Sequence, residues 1–212
     1  MQSKEEHLET LSDIRKMMSR SSRFLSLSGL SGVSAGVIAL IGAARAKLIL
    51  DGYYEGYETT GYRNDRFSFL KTELFQLGMI VLALALLSGF YFTWQKTRKQ
   101  KEKLWDTGSR KLAGSFLIPF TAGAVFILGM LWHSDWRFVA PACLIFYGLA
   151  LVNASKYTFD DIRYLGYCEV ILGLVNVWIP GKGLYFWAAG FGVLHILYGI
   201  IMWRKYDARS GS

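Results

Sequence analysis

A chain of 212 residues with 52% hydrophobic residues, 19% charged residues and a mean hydropathy of +0.26 is too poor in charge for an ordinary soluble domain, where about 25% is usual. Aromatic residues at 16% exclude a disordered or collagen-like chain, and two cysteines exclude a disulfide scaffold. The charges, +8 net, are bunched between long apolar runs, which is the distribution of a polytopic membrane protein.

Residues 1–22 place Leu8, Leu11, Ile14 and Met18 on one helical face, which predicts an amphipathic helix on the cytoplasmic membrane surface. Six apolar runs follow: Phe24 to Ala44, Leu70 to Trp94, Leu112 to Trp132, Arg137 to Asn153, Ile162 to Pro180, and Leu184 to Trp203. Each is expected to be a helix, because hydrocarbon offers no partner to a free backbone amide. The fold class is therefore all-α, with a six-helix transmembrane domain over 23–204 and a cytoplasmic tail over 205–212. A long outer loop is expected over 45–69 and a basic inner loop over 95–111. Ala44-Arg45-Ala46 has the form of a signal-peptide cleavage site, but the polar stretch before Phe24 is long for a leader, and the first span is read as retained.

Orientation follows from the basic residues. With both termini in the cytoplasm, seventeen of the 24 Lys and Arg fall inside and seven outside. Trp132, Trp136, Trp178 and Trp187 then lie at the outer boundary and Trp94, Trp105 and Trp203 at the inner one, where indoles prefer to sit.

The spans carry an internal pattern. The segment from Ala35 to Gly42 overlays that from Ala122 to Gly129, and Gly29 and Gly36 land on Gly166 and Gly173. Ser88-Gly89, Tyr147-Gly148 and Tyr198-Gly199 recur in the even spans. The reading is three tandem helical hairpins. Small residues let membrane helices approach closely, so Gly29, Gly36, Gly123, Gly166, Gly173, Gly192 and Gly199 are the expected packing glycines. In the last hairpin, the face of Gly166, Glu169, Gly173 and Asn176 is expected to meet that of Ala188, Gly192, His195 and Gly199.

Ionisable groups inside a span are costly, and Glu169 and His195 stand out. Both lie roughly 10 to 12 Å from the inner ends of antiparallel neighbours. A carboxylate and an imidazole at one depth form either an ion pair or a neutral hydrogen-bonded pair, responsive near the physiological range because a free imidazole titrates at about 6.5. Tyr164, Tyr167, Asn176 and Tyr198 are the expected supporting network. Cys143 and Cys168 sit at different depths and carry no redox spacing.

No catalytic residue, metal site or cofactor is assigned, since phosphate-binding, dinucleotide, nucleophile-elbow and metalloprotease motifs are all missing from the sequence. The run Lys96-Thr97-Arg98-Lys99-Gln100-Lys101-Glu102-Lys103 is read as a site for anionic lipid, not nucleic acid. A protein partner or a second copy of the chain is a further expected contact.

The stretch from Leu165 to Leu174, Pro180-Gly181, and the stretch from Gly190 to Gly199 resemble uncharacterised bacterial six-span membrane proteins. More loosely they are similar to the HdeD-like proteins associated with acid stress, whose hairpins carry a glycine in each helix and a proline at the turn. The first hairpin departs from that pattern by its long tyrosine-rich connection. The resemblance implies a small, multi-pass inner-membrane protein without an established activity. The expected function is thus non-enzymatic, exerted through partner or lipid interaction. A small proton-coupled transporter or channel is the alternative, and an intramembrane cofactor-binding protein is the second.

Overall fold

The computed structural model describes residues 24, 27–60, 64–101 and 105–207. The expected helix over residues 1–22 lies outside the described residues, as does the end of the tail. Among the described residues there is no strand, and the chain is a set of helices: α1 (Gly29–Thr60), α2 (Asn64–Lys99), α3 (Thr107–Trp132), α4 (Val139–Ala154), α5 (Asp161–Val177) and α6 (Gly183–Asp207). Five of them, α4 when taken with the 3-10 turn Ser155–Tyr157 that extends it to 19 residues, are long and apolar enough to cross a membrane. The exception, α5, has 17 residues, about 26 Å of helix against a hydrocarbon core of about 30 Å.

The long outer loop expected over 45–69 is not a loop. The chain stays helical to Thr60 and resumes at Asn64, so α1 and α2 run 32 and 36 residues, about 48 and 54 Å. The span rule saw only the apolar part of each helix. The polar turns beyond it carry no proline, and Lys47 and Asp51 pair at 2.9 Å across one turn. The inner loop is likewise shorter than expected, because Lys96, Arg98 and Lys99 are the last turn of α2.

Two local devices fix α3. Asp106 accepts a 2.7 Å hydrogen bond from the Ser109 amide while the Asp106 amide donates to Ser109 Oγ, a reciprocal cap that starts the helix. Pro119 lies inside α3 and has no amide to donate to the carbonyl of Ser115. Asn153 Nδ2 of α4 supplies that carbonyl with a 2.7 Å hydrogen bond instead. The α5–α6 turn is built by Pro180 followed by Gly181 at φ +82°, a conformation that glycine adopts without a Cβ clash.

Packing does not follow hairpins throughout. α1 lies against α2, and α3 against α4, as a hairpin reading requires, but α5 packs chiefly on α4 and α6 chiefly on α1. The glycines explain this. A Cβ added to Gly199 would stand 2.6 Å from the Val33 amide nitrogen and 2.8 Å from the Gly29 carbonyl. One added to Gly148 would stand 2.9 Å from the Val170 nitrogen and 2.7 Å from the Gly166 carbonyl. Likewise Gly36 abuts Gly192 and Ile196, and Gly173 abuts Pro141 and Ile145. Moving 137 positions along the chain turns the α1 partners into the α5 partners, and moving back 51 turns those of α6 into those of α4. One seam geometry is thus used twice. Gly123 serves differently, facing the Phe146 side chain of its own hairpin.

At one end of the bundle the described chain is drawn together. Asp207, at the close of α6, accepts from the Gly29 amide at 3.0 Å and from Ser28 Oγ at 3.2 Å, placing a carboxylate on the positive end of α1. Lys96 of α2 pairs with the same carboxylate at 2.7 Å and donates to the Leu27 carbonyl at 2.9 Å. The Phe24 amide meets the Tyr157 carbonyl at 2.8 Å, and Phe159 stacks on Tyr206. Lys205 and Tyr206 both reach Asp161.

Candidate functional site

The site lies where α4, α5 and α6 meet. Glu169 projects from α5 and has no solvent exposure, and His195 of α6 is 6% exposed. Burial of the carboxylate depends on Gly190, since a Cβ there would collide with Glu169 Oε2. Leu144 closes the same space. His195 Nδ1 stands 3.4 Å from Glu169 Oε1 and 3.0 Å from the Gly190 carbonyl. A carbonyl only accepts, so Nδ1 carries the hydrogen. Nε2 lies 2.8 Å from the Tyr147 hydroxyl, which donates to it when the imidazole is neutral.

The geometry of the helix sets this up. From Ala188 to Leu194, α6 opens into a π-helical segment rich in small residues, with His195 directly after it. The Gly190 carbonyl is there met by the imidazole five residues on, while the His195 backbone amide turns to Gly192. Wide turns of this kind leave backbone groups open to side chains and occur often at functional sites.

Around the imidazole stands a set of rings. Phe191 lies 5.0 Å from Tyr147 and stacks at 5.9 Å on His195, with Trp187 at 5.1 Å beyond it. Phe116 of α3 meets Tyr147 edge-on. This apolar wall lowers the local dielectric and strengthens the polar contacts inside it.

Electrostatics constrain the pair. Neither carboxylate oxygen of Glu169 has a well-formed hydrogen bond among the described residues. An isolated charge there would cost several kcal/mol. The pair is therefore favoured net neutral, either as carboxylic acid with imidazole or as carboxylate with imidazolium.

Glu169 and His195 come together as their shared depth predicts. The face-to-face packing expected of their helices does not occur, because the glycines beside them are engaged elsewhere: Gly166 and Gly173 on α4, Gly192 and Gly199 on α1. The supporting network is also different. Tyr164 and Tyr167 are 59% and 47% exposed, unlike the sealed pair. Tyr198 meets Cys168 at 3.8 Å, and Asn176 donates to the Ile179 carbonyl at 3.3 Å at the end of its own helix. The residue that does complete the site is Tyr147, which the sequence marked only as part of a Tyr-Gly motif. Its signal was a hydroxyl in mid-span, a group that needs a partner when buried in hydrocarbon.

Among the described residues no group of three or more His, Cys, Asp or Glu could hold a metal ion. No family model, curated protein or solved structure matches the chain.

Proposed function

We propose that this is a non-enzymatic bacterial inner-membrane protein that crosses the bilayer six times with both ends in the cytoplasm. It acts through lipid or partner contacts, and Glu169 and His195 form a pH-responsive clasp between its last two helices. The observation that carries the reading is the complete burial of Glu169, with His195 Nδ1 at 3.4 Å. A carboxylate sealed behind Gly190 and Leu144 suits a clasp better than a proton-coupled carrier, where water must reach it.

Other features support the finer parts. Asp207 capping α1 brings both ends of the described chain to one end of the bundle, in keeping with an even number of crossings. The seam geometry used twice is in keeping with a tandem hairpin repeat, and the likeness to the HdeD-like proteins fits a role in stress. Arg98, Lys99, Lys101, Arg110 and Lys111 crowd the inner α2–α3 turn, where anionic headgroups would be attracted at about 1 kcal/mol per charge.

The test is a double-mutant cycle in lipid. Glu169→Gln and His195→Ala each lower the melting temperature, and together they cost less than the sum, with a coupling of about 1–3 kcal/mol. Strictly additive losses overturn the clasp.

A further inference from the structure

The His195 Nδ1–H lies within reach of two acceptors, the Gly190 carbonyl at 3.0 Å and the Glu169 carboxyl at 3.4 Å. One hydrogen cannot fully satisfy both. We propose that this competition makes the π-helical segment Ala188–Leu194 a proton-controlled register switch in α6.

With the shared proton on Glu169, the carboxylic acid is not a demanding acceptor, and Nδ1–H stays on Gly190 as in the structure. Once that proton is lost, the sealed carboxylate has the imidazole N–H as its nearest donor and draws it away. The Gly190 carbonyl then loses its side-chain donor inside a sealed site, which is costly. The nearest remedy is the α-helical one, acceptance from the Leu194 amide. Closing the wide turn in this way removes one residue of register and rotates the Gly183–Gly190 end of the helix by about 100° against the rest.

The surroundings permit this and supply few rivals for the proton. α4 contributes Tyr147 to the imidazole, with Cys143 one turn earlier, and α5 contributes Glu169. α1 brings Gly32 and Gly36, and from Gly29 to Ala44 it has no titratable residue. Within α6 itself the next titratable group is Tyr198, which is engaged with Cys168 of α5. The wide turn itself contains Ala188, Ala189, Gly190 and Gly192, while Leu184, Tyr185, Phe186 and Trp187 are the side chains that the rotation carries to new neighbours.

The inference rests on the clasp reading, and the experiment separates the two. Spin labels are placed at Trp132→Cys, at the end of α3, and Lys182→Cys, just before α6, in a Cys143→Ser, Cys168→Ser background; both positions are exposed. Their distance is measured in lipid nanodiscs at about pH 5.5 and about pH 8.5, on either side of neutrality. A 100° turn of a helix with a radius of about 5–6 Å displaces a surface label by on the order of 8 Å. The expected result is a pH-dependent shift of that order in the otherwise native chain, with Glu169→Gln fixed at the acid distance. A native distance that does not change with pH overturns the switch without recourse to any site variant, while a non-additive stability cycle would leave the clasp standing. A shift that persists in Glu169→Gln also overturns it, since the responsible proton then lies elsewhere.

Discussion

The Tyr147 hydroxyl of α4 lies 2.8 Å from Nε2 of His195 in α6, joining two residues that are 48 positions apart along the chain. This bond fixes the imidazole from the side opposite Gly190, so both ring nitrogens are engaged. Tyr147→Phe keeps the ring against Phe191 and removes only the hydroxyl. It should cost about 1–2 kcal/mol, the value of a buried hydrogen bond whose other member is left unpaired. Thermal unfolding in lipid measures it. A variant as stable as the native chain would mean the hydroxyl does not hold the imidazole.

Asn153 and Pro119 act through the Ser115 carbonyl, and they should be coupled although they do not bond to each other. Asn153→Ala leaves that carbonyl without its 2.7 Å donor and should cost about 1–3 kcal/mol. Pro119→Ala restores an amide one helical turn on, so in that background Asn153→Ala should cost much less. An equal cost in both backgrounds would detach the asparagine from the proline.

Glycines in the seams and glycines outside them should respond in opposite directions. Gly199→Ala drives a methyl into the backbone of α1 at Val33 and Gly29, neither of which can move aside alone. A loss of about 2 kcal/mol or more is expected, the scale of overpacking in a tight interface. Gly89 occupies the corresponding Ser-Gly position of α2 but has open space at its Cβ. Gly89→Ala should be neutral or stabilising by up to about 1 kcal/mol, from helix propensity. Equal losses at both sites, read by melting temperature, would reject the seam.

Lys96 and Asp207 close one end of the bundle, with side chains 11% and 12% exposed. Removing the cation takes the Lys96 charge from the Asp207 carboxylate and leaves it the Gly29 and Ser28 donors. Lys96→Met should therefore destabilise by about 2–3 kcal/mol, somewhat below the 3–5 typical of a fully buried pair. Adding Asp207→Asn should recover part of the loss, because an amide is less costly to leave unpaired. If the double variant were worse than Lys96→Met alone, the ion pair would not be the source of the effect.

Particular residues show where reading the chain was sufficient. The apolar runs marked the helices because twenty or so apolar residues leave the backbone no alternative to internal hydrogen bonding. Glu169 and His195 were found for a related reason: an ionisable group amid apolar neighbours is too costly to persist unpaired, and equal depth on adjoining spans named its partner. The polar ends of α1 and α2 were missed because hydropathy reports contact with hydrocarbon, not helicity. Arg45 to Thr60 is helical without being apolar.

What no pattern along the chain could decide was which helices touch. Gly166 and Gly199 look alike in sequence, and each could have served any neighbour; the close backbone approaches commit one to Gly148 and the other to Gly29. Tyr147 acquired its part only when α4 was brought against α6, and Asp207 only when α6 was brought against α1. Composition and spacing determined how much of the chain sits in lipid and which charges need partners, since those are costs each segment bears alone. The choice of partners was left to tertiary packing, because it depends on which backbones come close enough to leave no room for a Cβ, and the order of residues does not contain that.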